Sequence, residues 1–222
     1  MPIGEQPLQL VEPLCDDARL EEGSGVATPL PRNLVRVPKV RQQTDFSCGT
    51  AATLALLRYW RVGQYAEVDE AKLYQQLGTT PARGTEPQSI EAFLNTATGI
   101  TAEYRHGNVT VEELERAVDA QEPPIVDLQA WRDHDAPWRD VWDAGHYVVL
   151  VGYDREHLFF MDPSRLTPGP YAYLPRAELD ERWHDLTGDH NQQVLRMAIF
   201  ARGPAKPPRG DDLAAGTATK LG

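Results

Sequence analysis

A chain of 222 residues, 41% apolar and 25% charged, has the length and make-up of one soluble globular domain. Its formal net charge of -11 argues against nucleic acid as a partner, because phosphate binding needs clustered Lys and Arg. No apolar run approaches transmembrane length, the N-terminus lacks the regions of a signal peptide, and two cysteines, Cys15 and Cys48, make no disulfide framework. A cytoplasmic protein with no membrane contact is expected.

Residues 1–34 are rich in Pro, Gly and acids without a sustained period, and read as a flexible N-terminal segment. Residues 34–40 alternate apolar and polar and predict an edge strand, the only place where Pro38 fits. A polar loop over 42–47 then turns into a helix of helix-forming, mostly apolar residues from Cys48 to Trp60, with Ser47 or Asp45 as its N-cap. A short amphipathic helix is predicted over 69–77, ended by Gly78. Another opens at Glu86-Pro87 and stops before Gly99. A strand follows over 101–105, then a capping-box helix from Thr110 to about Ala120, then a strand over 125–128.

Residues 131–144 carry Trp131, Trp138 and Trp142 among acids, a loop with aromatic anchors for either the core or a substrate. The run 146–154 is β-branched and aromatic throughout, a strand buried on both faces, and 158–162 returns as its hairpin partner. A helix over 175–183 and a last strand over 194–201 precede a Pro, Gly and Ala-rich tail over 203–222, read as disordered. His184-Asp185 and Asp189-His190 read as a solvated acidic loop, and no metal site or cofactor is expected. Helices first and an antiparallel sheet later define an α+β class, with the folded domain over 35–202.

The chemistry centres on Cys48. A sulfur in the first turn of a helix meets the positive end of the helix dipole and unpaired backbone N–H groups, where cysteine nucleophiles are found. A thiol nucleophile needs a base, and the base needs a group to hold its ring. His146 opens the buried hairpin, and Asp162 ends its returning strand. A tight turn near 154–157 sets 146 and 162 roughly opposite one another, within reach of an imidazole–carboxylate bond. The Cys48 N–H is one candidate oxyanion donor, and a side-chain amide from Gln42 or Gln43 is the other. Gly145, Trp142 and Asp45 flank these residues and are candidate substrate contacts.

Three motifs, Gln42-x5-Cys48-Gly49-x-Ala51, Gly145 to Tyr153 beginning Gly-His-Tyr-Val, and Met161-Asp162-Pro163-Ser164, resemble the papain-like bacteriocin-processing (double-glycine leader) peptidases, and more closely their stand-alone relatives without a transporter. The resemblance spans about residues 36–202. It implies a papain-like cysteine peptidase fold, with a helical half that carries the nucleophile helix packed on a C-terminal antiparallel sheet. It also implies Cys48, His146 and Asp162 as the triad. A glutamine six residues before the cysteine lines the oxyanion hole in this family, which selects Gln42 over Gln43. A peptide or protein substrate follows from the same resemblance. Acyl or peptidyl transfer on the same scaffold, and a catalytically inactive peptide-binding module, are the alternatives.

Overall fold

The computed structural model describes residues 27–96, 99–133, 136–188, 190–203 and 216–222. Cys15 and most of the N-terminal segment lie outside them. In chain order the elements are β1 (Thr28–Pro29), α1 (Cys48–Tyr59), α2 (Tyr74–Leu77), α3 (Pro87–Thr96), β2 (Thr101–Arg105), α4 (Val111–Asp119), β3 (Ile125–Gln129), β4 (Gly145–Tyr153), β5 (His157–Met161), β6 (Tyr171–Pro175), α5 (Arg176–Arg182), β7 (His184–Thr187), β8 (Gln192–Leu195), β9 (Ala198–Arg202) and β10 (Thr217–Lys220). Eight strands form one sheet in the order β1-β10-β6-β5-β4-β3-β9-β2, antiparallel except where β10 joins β6. β7 and β8 pair separately. The class is α+β, as read from the element order.

α1 is a core helix. Cys48 through Leu57 are buried, and the helix packs against β4 and α3. Its close approach to the sheet depends on Gly49. A Cβ at Gly49 would come within 2.9 Å of Thr85 Cβ and 3.1 Å of a Tyr147 ring carbon. On the sheet side, Val148 to Val151 and Leu158 to Met161 have almost no exposed surface. Continuous burial of this kind is what an unbroken β-branched and aromatic run encodes.

Local rules account for most boundaries. The segment before α2 starts with Asp69, whose carboxylate accepts from Ala71 N–H, and α2 ends at Gly78 with φ +63°. Thr110 and Glu113 form a reciprocal capping box on α4. Ser47 occupies the N-cap position of α1, yet its hydroxyl bonds Thr44 in place of the helix.

Five expectations need correction. Residues 34–40 form no strand. Val35 N–H donates to Val151 carbonyl and Val37 N–H to Val35 carbonyl, so the backbone turns on itself while Val35, Val37 and Val40 insert into the core. The strand expected over 194–201 is two strands, because Arg196 takes a left-handed φ of +50° and its N–H bonds Trp183 carbonyl. His184-Asp185 is no solvated loop but part of β7, with His184 buried. Finally, 217–220 falls within the stretch read as a disordered tail and is a sheet strand, with Ala218 and Leu221 buried. Likewise, residues 28–34 of the segment read as flexible begin with β1 and continue with Leu30 and Leu34 against the core.

Among the described residues no helix is long and apolar enough to cross a membrane.

Candidate active site

The sequence motifs converge where the N-terminus of α1 meets the start of β4. Cys48 is the first residue of α1, so its N–H has no partner within the helix. His146, the second residue of β4, is buried. Its Nε2–H donates to Asp162 Oδ1 at 2.7 Å. The Cys48 thiol lies near enough to act on the same ring.

The route by which Asp162 reaches His146 differs from the expected one. In the β4–β5 ladder Val149 faces Met161 and Leu150 faces Phe160, and a bulge between Leu150 and Gly152 shifts the register beyond them. Continuing the ladder places Asp162 opposite Val148, two residues from His146. The pair is therefore diagonal, not directly opposed. Residues 146 and 148 share a face, so both side chains still point the same way, and diagonal neighbours lie within reach of long side chains.

Both oxygens of the Asp162 carboxylate accept hydrogen bonds. Oδ1 also accepts from Ser164 N–H at 2.7 Å, and Oδ2 accepts from the Thr167 hydroxyl. Burial alone would raise its pKa, but His146, Thr167 and Ser164 outweigh burial and hold it below the usual carboxylate value. Burial likewise disfavours the charged imidazole, yet Asp162 and Cys48 prevail and raise His146 to about 10. The loop after Asp162 is clamped by Arg41, whose guanidinium donates to the carbonyls of Ser164 and Thr167.

Gln42 lies beside this loop, its N–H bonded to Pro163 carbonyl at 2.9 Å. Its Nε2 donates to Thr44 carbonyl at 2.8 Å, which fixes the amide and leaves the second N–H of that nitrogen. Gln43 is directed elsewhere: its Nε2 bonds Asp69 and its backbone N–H bonds Glu70. Gln42 lines a cavity with Trp131, Arg165 and Leu166. Trp131 covers the imidazole, ring centroids 4.9 Å apart.

A second cleft, of about 250 Å³, is lined by Cys48, Gly145, Trp142 and Asp45, among others. Three predicted substrate contacts thus border one cleft. Trp142 packs at 4.3 Å on the buried His184 ring, whereas Trp138 belongs to the core. Asp45 is exposed and pairs with Arg165 at 3.1 Å across the loops, an ion pair that solvent screens heavily.

Sequence reasoning missed a buried acid next to the cleft residue Asp185. Asp127, in β3, is 2% exposed, and its carboxyl pairs with that of Asp185 from β7. Burial, then the charge of Asp185, pushes Asp127 well above the ordinary carboxylate range. Asp185 is raised by burial too, though it gains bonds from Asp127, Leu186 N–H and Gln129 Nε2. One signal was available: Asp127 is a lone charge inside the apolar strand Ile-Val-Asp-Leu, and a buried polar residue is the informative exception.

A mixed sheet, a buried helix led by a cysteine, and a His–Asp pair facing that cysteine make up a papain-like cysteine peptidase fold. Three solved structures share it at low sequence identity. A C39-like peptidase from Bacillus anthracis is 20% identical with a TM-score of 0.56, covering 82% of this chain and all of that one. A double-glycine-motif protease of an AMS/PCAT transporter, in complex with the leader peptide, is 18% identical with a TM-score of 0.53, covering 80% and 99%. The peptidase domain of Streptococcus ComA is 16% identical with a TM-score of 0.52, covering 77% and 100%. No curated protein is detectably similar in sequence. Residues 35–190 match the family model, and the chain belongs to the Peptidase_C39 like family.

Proposed function

We propose that the protein is a thiol hydrolase that cleaves an amide bond in a peptide or protein substrate. The observation that carries this reading is the buried His146–Asp162 bond at 2.7 Å, with the Cys48 thiol near the same ring. A ring held near pKa 10 is an imidazolium at neutral pH, and an imidazolium neighbour stabilises a thiolate.

Cys48 Sγ attacks the scissile carbonyl carbon and forms the S–C bond. The developing oxyanion is met by the Cys48 N–H and the free N–H of the Gln42 amide. The tetrahedral centre collapses, the C–N bond breaks, and His146 Nδ1 gives its proton to the departing amine. Water then adds to the thioester with His146 as base, releasing the acid and the thiol. Asp162 keeps the ring in one tautomer throughout. The transporter protease of the same fold is in complex with a leader peptide, which supports a peptide as the substrate class.

Iodoacetamide labelling mapped by mass spectrometry tests this, with Cys15 as an internal reference. At about pH 6, Cys48 is expected to label more than tenfold faster than Cys15, and Cys48→Ala to abolish cleavage of a peptide pool. His146→Ala should remove the rate advantage. Equal labelling of the two thiols, together with unchanged cleavage by the Cys48→Ala variant, would overturn the proposal.

A further inference from the structure

Residues 39–42 are bonded along the loop that follows Asp162. Gln42 N–H donates to the Pro163 carbonyl at 2.9 Å. The Arg41 guanidinium donates to the carbonyls of Ser164, Thr167 and Gly169, and the Lys39 ammonium donates to Gly169 as well. Ser164 and Thr167 are also the residues that hold the Asp162 carboxylate. Ser164 N–H donates to Oδ1 at 2.7 Å, and the Thr167 hydroxyl donates to Oδ2. Each of the two is thus gripped twice, by Asp162 through its donor and by Arg41 through its carbonyl. Within the loop, Leu166 N–H closes a turn on Ser164 Oγ at 3.1 Å.

Among the described residues the hydrogen bonds of Arg41 all go to carbonyl oxygens and none to a carboxylate. A planar fork with five N–H donors can serve three carbonyls at once, which an ammonium cannot. Two cations meeting at the Gly169 carbonyl carry a cost: burial and the charge of Arg41 lower Lys39 to about 8. The charge of Asp162 acts the other way on Lys39, so these cations and the candidate triad carboxylate lie within electrostatic reach of one another. Arg41 also immediately precedes Gln42, whose amide is fixed by the Thr44 carbonyl at 2.8 Å. One residue therefore joins the loop that sets Asp162 to the segment that sets the candidate oxyanion donor.

From this geometry we infer that Arg41 is a positioning residue for the reaction: by holding Ser164 and Thr167 it fixes the Asp162 carboxylate, and through it His146, in register with the Gln42 amide. Arg41 acts through Asp162 and Gln42, not on the reacting atoms. The inference rests on the hydrolase reading above.

Arg41→Lys keeps the charge and loses the fork. With the peptide of the pool that the parent cleaves fastest, kcat should fall about tenfold or more while KM stays within about twofold, measured well below the melting temperature. Cys48 alkylation by iodoacetamide at about pH 6 should slow about threefold or more in the same variant, because a loosened Asp162 holds less imidazolium beside the thiol. Thr167→Val removes the hydroxyl from the same carboxylate, so the double variant should lose less kcat than the product of the two single losses. A merely structural clamp would lower the melting temperature of Arg41→Lys and leave kcat, KM and the alkylation rate at parent values, which would overturn the inference while the hydrolase stands. Fully multiplicative losses in the double variant would overturn it too. Should Arg41→Lys not fold, Arg41→Gln, which keeps two N–H donors without the charge, takes the same measurements with the same expected losses. If the parent cleaves no peptide but Cys48 alkylates faster than Cys15, the hydrolase reading fails, and the alkylation rate alone decides whether Arg41 positions the group around Cys48. If neither thiol is preferred, both fall.

Discussion

His146 and Asp162 depend on each other for their ionised forms, and this gives the site a pH signature. Asp162 is held below its ordinary pKa, so its contribution is present above about pH 4 and is lost as pH falls through the lowered value. His146 is held near 10, above its unfolded value of 6.5, so its contribution is full below about pH 6.5 and drains as pH rises to about 10. Folding stability from the pair therefore peaks between about pH 4 and 6.5. Asp162→Asn should flatten the loss between about pH 6.5 and 10 in urea unfolding, and it should lower peptide cleavage more than tenfold by freeing the ring. A parent whose stability keeps its full value up to pH 10 would contradict the assigned ion pair. Thr167 supports the same carboxylate, since its hydroxyl donates to the Asp162 oxygen that does not bond His146.

At the scale of elements, each piece of the site is placed by a different device. α1 brings Cys48 by burying its whole length against β4, and Gly49 sets how close it sits. β4 brings His146 by strand alternation, and a bulge in the β4–β5 ladder tunes the offset of Asp162, the residue after β5. β7 brings Asp185 under Gly145. α4 has no such duty, and its capping box is a local stabiliser. Replacing Thr110 with Ala should cost about 1 kcal/mol in urea unfolding and leave Cys48 labelling unchanged. A loss of labelling would mean that α4 is coupled to the cleft.

Over the whole molecule, the two ends of the described chain close one edge of the sheet. β1 pairs with β10, and β10 lies parallel to β6. Leu221 is buried, its N–H bonds Tyr173 carbonyl, and its own carbonyl accepts from Arg182. Arg182 is itself buried, paired with Glu178 and stacked 3.5 Å over Trp138. Removing residues 217–222 should therefore cost about 3 kcal/mol, from a lost Leu side chain, a lost ladder and a stripped Arg182. Thermal unfolding of the truncated chain would show it, and an unchanged midpoint would mean that the edge strand contributes nothing.

How far the site was legible follows from how local each signal is. Ser47-Cys48-Gly49 before an apolar helix, the β-branched run after His146, and Asp162 before Pro163 all encode their placement through nearest neighbours. The 34–40 segment misleads because its alternating valines are set by what lies beneath them, not by a partner strand. Thr217–Lys220 lacks an apolar run of its own and becomes a strand only because the edge of β6 is open to it. Asp185 looked like solvent-facing acid because its partner, Asp127, is 58 residues earlier in the chain.

Sequence alone determined the α+β order, the nucleophile helix, the hairpin, and the residue types of the candidate triad, since propensity, capping and strand period act within a few residues. Tertiary structure alone decided the diagonal His146–Asp162 pairing, the closure of the sheet by the chain's far segments, and the Asp185 carboxylate against Gly145. Those depend on register and on side chains that meet only once separate strands share a sheet, which no short window of residues encodes.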